Sequence, residues 1–278
     1  MKELNKYKDI IINHYTTYCN EDERLLTKKS HLIEYLTTMR YIEKYAKSKC
    51  KILEIGAATG VYSVELAKKG YNVTAVDLVP ENIAVLKEKS KGLNNIVSMV
   101  GDAMDLSAFN DNEFDVVLNL GPMYHLYNQK DKDKAISETI RVCKPNGMCM
   151  FAYLTHSSIV WNYGIRKNKM EDLSRCLKAD GRIIDKPEEV FSSYFIEDFK
   201  RQFDNTGTEY ITNVATDGLS EIMRDYINDI ISDEDYERFV KWHFATCERL
   251  DHQGISSHLL YICKKTNNEK ISKKSRKN

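Results

Sequence analysis

The chain has 278 residues, with 41 basic and 41 acidic side chains, 42% hydrophobic residues and seven cysteines. That length suits one large α/β domain or a domain with a cap, and zero formal net charge gives no whole-molecule field for nucleic acid or membrane. No apolar run approaches the roughly eighteen residues of a membrane span. The N-terminus lacks a signal-type apolar stretch and the cysteines show no zinc spacing, so a soluble, reduced, cytoplasmic protein without a metal is expected.

Residues 1–47 carry helical spacing, with Leu32, Tyr35, Leu36 and Met39 as the expected buried stripe. From there strand and helix signals alternate with short turns. This predicts a Rossmann-like α/β fold, a seven-stranded and mostly parallel sheet with helices on both faces. Strands are expected at 50–55, 72–77, 96–100, 114–120 and 148–154. Helices are expected at 61–69, after Pro80, and around Ile136, Thr139, Ile140 and Cys143. Lys144-Pro-Asn-Gly147 is a predicted turn. Residues 156–195 form an irregular, mixed-charge insertion. A helix at 195–203, a strand at 209–214 and a helical repeat of Leu219, Ile222, Met223, Tyr226 and Ile230 follow. Ser232-x-x-Asp235 resembles a capping box for one more helix, and 258–263 is the last strand. The expected organisation is therefore a helical lid (1–47), a core (48–155), cap insertions with closing strands of the same domain (156–263) and a basic tail (264–278). That tail has seven Lys or Arg against one acid, Glu269, and is expected to be poorly ordered.

The most informative segment is Lys51-Ile-Leu-Glu-Ile-Gly-Ala-Ala-Thr-Gly60, a buried strand running into a glycine loop that opens a helix. Glu54 stands two residues ahead of Gly56, Ala58 lies between the glycines, and the next strand ends in Asp77. Such a layout brings backbone close to a nucleoside and offers its ribose a carboxylate. Three loops, 56–60, 77–79 and 101–104, should converge at the sheet's switch point, with Asp102 toward an adenine amino group and the backbone of Ala103 or Met104 toward the ring. A dinucleotide fingerprint would need a glycine five positions after Gly56. Gly60 comes four positions after it, and Glu54 would oppose a pyrophosphate but suits an amino group and a sulfonium.

Together, Glu54-x-Gly56-x-Ala58-x-Gly60, Asp77, Gly101-Asp102-Ala103 and the 114–120 strand resemble the ordered motifs of class I S-adenosylmethionine-dependent methyltransferases, over about residues 48–155. Leu120-Gly-Pro-Met-Tyr-His-Leu126 is similar to an L-G-P-L-Y-H-L segment of a bacterial methyltransferase-domain subgroup. Glu21-Asp-x-Arg-Leu25 and Ser256-Ser-His-Leu-Leu-Tyr261 fit that subgroup as well. The resemblance implies S-adenosyl-L-methionine as cofactor, held by Glu54, Gly56, Ala58, Gly60, Asp77, Leu78, Asp102, Ala103 and Tyr15, with Asn119, Leu120 and Gly121 along its methionine portion. Many such proteins carry glycine at the position of Ala58; a methyl there is tolerated if its φ stays negative.

Methyl transfer from a sulfonium is an in-line displacement, so alignment does most of the work and no nucleophilic side chain is obligatory. His125 is the candidate proton acceptor and Tyr124 a candidate for orienting the substrate or facing the sulfonium. His258 and His243 read as core histidines. Tyr7, Tyr15, Tyr18 and the 21–24 cluster would build the lid, and Trp161, Tyr163, Tyr194 and Phe195 the aromatic walls of an acceptor pocket. The expected partner is a small organic methyl acceptor. A methyltransferase acting on RNA or protein through the basic tail, and a cofactor-binding protein without catalysis, are the alternatives.

Overall fold

The computed structural model describes residues 2–17, 21–184 and 191–267. Three helices come first, α1 (Lys2–Thr17), α2 (Glu21–Leu26) and α3 (Lys29–Tyr45). Then β1 (Lys51–Ile55), α4 (Val61–Lys68), β2 (Asn72–Asp77), α5 (Pro80–Lys89), β3 (Ile96–Val100), β4 (Phe114–Asn119), α6 (Gln129–Val142) and β5 (Cys143–Leu154) alternate as expected. Short helices α7 (His156–Ile159) and α8 (Met170–Ser174) flank a π-helical turn at Val160–Ile165. The chain closes with α9 (Ile196–Arg201), β6 (Thr208–Ala215), α10 (Arg224–Asp229), α11 (Asp233–Thr246), α12 (Leu250–Gln253) and β7 (His258–Lys265).

The strands form one seven-stranded sheet in the order β3-β2-β1-β4-β5-β7-β6. Pairings among the first five strands are parallel, whereas β7 runs antiparallel to both β5 and β6. The central strands read as continuous apolar runs because both faces are covered: Ile52, Leu53, Val117 and Leu118 are wholly buried. The start of β7 lies at the carboxyl edge of the parallel strands, with His258 opposite Leu154. Residues separated by some two hundred positions therefore share one rim.

Three expectations are corrected. Lys144-Pro-Asn-Gly147 does not end one element and start another; it is a bulge inside β5, between the pairs Phe114↔Cys143 and Val116↔Met148, with Asn146 at φ +63°. The face of α3 that is buried carries Ser30, Ile33, Glu34, Thr37, Thr38, Tyr41 and Ile42; of the expected stripe Met39 is buried, while Leu32, Tyr35 and Leu36 are only half-buried. That buried face is partly polar, so an apolar stripe points about one residue away from it. The repeat from Leu219 to Ile230 is broken into a 3₁₀ turn (Gly218–Ser220) and α10, and it leaves Met223, Tyr226 and Ile230 exposed. The predicted cap of α11 is present, with Ser232 Oγ accepting from the Asp235 amide at 3.1 Å. Among the described residues no helix is long and apolar enough to cross a membrane.

Candidate functional site

A cavity opens at the carboxyl edge of the sheet, with about 1330 Å³ of atom-free space counting its open mouth. Its floor is the loop after β1. Gly56 has φ +78°, and a Cβ on it would meet Pro122 Cδ at 2.8 Å, so only glycine lets this loop lie against the one after β4. Glu54, Gly56, Ala58, Asp77, Leu78, Asp102, Ala103, Leu120, Gly121, Tyr124, His125 and Tyr15 all line the cavity. Segments predicted separately thus meet in one place.

Two predicted residues do not line it. Gly60 caps α4 at φ +88°, and a Cβ there would sit 2.6 Å from Leu86 Cγ; it permits α5 to approach and does not touch the cavity. Asn119, wholly buried, turns toward α6 and donates to Thr139 Oγ1 at 3.2 Å, leaving its Oδ1 without a partner. A strand's alternation sends position 119 to the helix side while Leu120 and Gly121, past its end, reach the cavity. Ala58 also differs from expectation. Its φ is +45°, in the left-handed region, so the methyl is carried at a cost of about 1–2 kcal/mol.

Asp77 is the best-fixed side chain of the site. Its Oδ2 accepts from the Ala58 amide at 2.7 Å, and its Oδ1 from the Val79 amide at 2.9 Å and Asn82 Nδ2 at 3.1 Å. The carboxylate ties the β1 and β2 loops together while still lining the cavity. Asp102 Oδ1 accepts from the Met104 amide, and its Oδ2 pairs with Lys8 Nζ of α1 at 2.7 Å. Glu54 is buried and receives a hydrogen bond from Ser63 Oγ. Burial pushes its carboxyl up to about 8, and the nearby Asp77 charge adds to this against the Ser63 bond. Glu54 is therefore mostly protonated at neutral pH, and becomes a counter-charge only when a cation comes beside it.

Helix α1 covers the site at two points. Besides Lys8, Tyr15 shares a hydrogen bond between its hydroxyl and His125 Nε2 at 2.8 Å, with the two rings edge-to-face. His125 is buried, directly after the 3₁₀ turn Pro122–Tyr124. Tyr124 donates its hydroxyl to the Leu120 carbonyl at 3.0 Å, which braces the loop after β4. Tyr18, the side chain of Tyr7 and the tail from residue 268 lie outside the described residues. Within the described part of the tail, Lys265 Nζ binds Asn112 Oδ1 and the carbonyls of Arg141 and Cys143, so it is spent on the fold.

The expected aromatic walls are elsewhere. Trp161, Tyr163, Tyr194 and Phe195 do not line the cavity, and Tyr194 is a core residue against Tyr153 and Phe199. The far end is instead polar. His258, expected in the core, lines the cavity with Glu34, Arg24 and Thr216. Its Nδ1 lies 2.9 Å from Asp217 Oδ2 and 3.7 Å from Glu34 Oε2, and Arg24 grips Glu34 with both terminal nitrogens at 2.8 and 3.2 Å. Burial alone would lower the imidazole's pKa, but the Glu34 charge and the Asp217 hydrogen bond outweigh it and raise it to about 9. Burial likewise acts to raise Glu34, and Arg24 and His258 overcome it, holding that carboxyl near about 2. His243 is wholly buried and does not line the cavity, as a core histidine. No periodicity could have found the Glu34–His258 pair. The signal available was that 21–25 and 256–261, both singled out by resemblance, place Arg24 and His258 at one end of the cavity.

A seven-stranded sheet with β7 antiparallel, a glycine loop after β1, an acid ending β2 and a cavity across their edge is the arrangement of a class I S-adenosylmethionine-dependent methyltransferase domain. Residues 53–151 match the family model described as a methyltransferase domain. The chain is 27% identical over 170 residues to a ubiquinone biosynthesis O-methyltransferase of Rickettsia typhi, covering 59% of this chain and 65% of that one. It is 31% identical over 154 residues to a demethylmenaquinone methyltransferase of Staphylococcus haemolyticus, covering 53% and 62%. It thus spans less than two thirds of either relative. A solved S-adenosylmethionine-dependent methyltransferase from Methanosarcina mazei superposes with a TM-score of 0.53 at 19% identity over 81% of this chain and 97% of that one, which bears on the fold.

The cofactor of this class is S-adenosyl-L-methionine, and the lining residues fit it. The side-chain-free floor at Gly56 admits close backbone approach, Asp77 supplies acceptors for a ribose, and Leu78 and Ala103 offer apolar contact to a base. Glu54, lining the same cavity, would serve as a counter-charge to an amino group or sulfonium bound beside it.

Proposed function

We propose that this chain is a methyltransferase that moves a methyl group from S-adenosyl-L-methionine to a small organic acceptor by in-line displacement. The bound cofactor supplies an electrophilic methyl on a sulfonium. Asp77, Leu78 and Ala103 hold the nucleoside, Glu54 and the Leu120-Gly121 segment the methionine portion, and Asp102 stays paired with Lys8 on α1. Tyr124 keeps the loop after β4 in place. His125 takes the proton of a protonated nucleophile, with Tyr15 fixing the orientation of its ring. Such a base contributes roughly 10²–10⁴-fold.

The observation that carries this reading is one cavity shared by the cofactor residues and His125, with α1 drawn across it by Lys8 and Tyr15. A lined, partly covered cleft suits a small molecule better than a polynucleotide. One relative is named a ubiquinone biosynthesis O-methyltransferase and another a demethylmenaquinone methyltransferase, which supports trying phenols among the first acceptors. The test is calorimetric titration with S-adenosylhomocysteine, followed by transfer of labelled methyl to a panel of phenols and amines. Micromolar binding with turnover on a small acceptor is expected. No binding at millimolar concentration would end the reading, and turnover on RNA alone would replace the acceptor class.

A further inference from the structure

The four charged groups at the far end of the cavity are not needed to hold a nucleoside. In the sheet order β2-β1-β4-β5-β7, His258 stands four strand spacings from Asp77, about 19 Å along the edge. A cofactor anchored at Asp77 with its methionine portion along Leu120 and Gly121 leaves this end open to the second substrate. Its groups come from α2 (Arg24), α3 (Glu34), the turn after β6 (Asp217) and the first residue of β7 (His258).

The arrangement fixes one ring atom and leaves another. His258 Nδ1 faces Asp217 Oδ2 and Glu34 Oε2. Asp217 is held by the Ser256 hydroxyl and the amides of Ser257 and His258, so neither carboxylate is free to swing away. Nε2, on the other side of the ring, has no hydrogen-bond partner among the described residues, although the side chain is 23% accessible and lines the cavity. Both carboxylates raise the imidazole's affinity for its second proton, so Nε2 carries hydrogen at neutral pH.

Glu34, Asp217 and His258 also lie close enough together to suggest a cation site, with donor atoms within 4.8 Å of one another. The Arg24 guanidinium already occupies Glu34, and three protein donors occupy Asp217 Oδ1. Two positive and two negative side chains then cancel. A divalent ion would have to displace both a proton and an arginine.

Resting on the methyltransferase reading, we propose that His258, clamped by Glu34 and Asp217, donates its Nε2–H to a neutral oxygen of the methyl acceptor, a hydroxyl or carbonyl, and is a specificity-determining residue. A carboxylate at this point would add an unbalanced charge to a cluster that is already neutral and largely desolvated, which is costly. A hydroxyl adds none. Tyr62, Leu126 and Leu260 supply the apolar surface for a ring that bears such an oxygen.

The experiment titrates catechol, and benzoate in parallel, into the full chain saturated with S-adenosylhomocysteine. Catechol should bind at least tenfold more tightly than benzoate. His258→Phe should weaken catechol at least tenfold while S-adenosylhomocysteine stays within twofold, and His258→Gln, whose amide can donate, should recover part of the loss. Wild-type protein gives a readout that does not depend on the variants folding: the nitrogen-15 resonance of His258 Nε2 should be that of an imidazolium and move on adding catechol. Equal catechol binding by His258→Phe, tighter binding of benzoate, no catechol binding or an unmoved resonance would overturn the proposal. So would Zn²⁺ binding that is lost in His258→Phe. Failure of S-adenosylhomocysteine to bind wild type would sink the methyltransferase reading instead, and this proposal with it.

Discussion

Removing the Asp77 carboxylate should unsettle the fold before it says anything about the cofactor. In Asp77→Ala, the amides of Ala58 and Val79 and the side-chain amide of Asn82 lose their acceptor together. Val79 and Asn82 are buried at 2% and 8% exposure, whereas Ala58 can turn to water through the cavity. Two buried donors left unmet cost about 1–3 kcal/mol each, so about 2–6 kcal/mol in all. At roughly 2–4 °C per kcal/mol for a chain of this size, Tm should fall by about 10 °C. Differential scanning calorimetry without ligand measures it. Asp77→Asn, which keeps one oxygen acceptor, should fall between Asp77→Ala and wild type, and any further loss of ligand affinity in it reports on the charge. A Tm for Asp77→Ala within about 2 °C of wild type would refute the reasoning, since a loss that small is below the cost of even one buried unmet donor.

Further outcomes are expected. Tyr15→Phe should lower kcat several-fold and displace its pH profile with cofactor affinity unchanged, and His125→Ala should lower kcat at least tenfold; steady-state kinetics with calorimetry separate the two. Because Glu54 is protonated at neutral pH until a cation arrives, S-adenosylmethionine binding at pH 7 should release close to one proton, or about one by linkage. The dependence of binding heat on buffer ionisation enthalpy measures this, and Glu54→Gln should abolish it. The folded His258 value of about 9 exceeds the ordinary 6.5, so its contribution is complete below pH 6.5 and lost as pH rises through 9. Urea unfolding at pH 6.5 and 9.5 should show that slope in wild type, about 3 kcal/mol at most, and not in His258→Phe.

Much of this was legible because the central strands are covered on both faces and so leave unbroken apolar runs. The same strands end in Gly56 and Asp77, whose backbone and charge have few other uses. What was not legible depended on contacts between distant segments. The face of α3 that matters carries Glu34 and Thr38, polar residues that satisfy partners far along the chain, so an apolar stripe of Leu32, Tyr35 and Leu36 misplaces it. His258 sits in an apolar strand, and only the arrival of Glu34 and Asp217 makes it a cavity cation. Ala58 was expected at negative φ, yet its amide must point at Asp77 Oδ2, and the loop twists through +45° to do so. Of the aromatics expected at the pocket, Tyr194 went to packing and Tyr163 stays exposed.

The central claim is that the cavity floored by Gly56 and edged by Asp77 holds the nucleoside of S-adenosylmethionine. A crystal of the chain soaked with S-adenosylhomocysteine tests it most directly. The account predicts ribose hydroxyls within hydrogen-bonding distance of Asp77, and the sulfur near Gly121 on the side facing His125 and His258. An empty cavity at saturating ligand, or a nucleoside bound elsewhere, would contradict it.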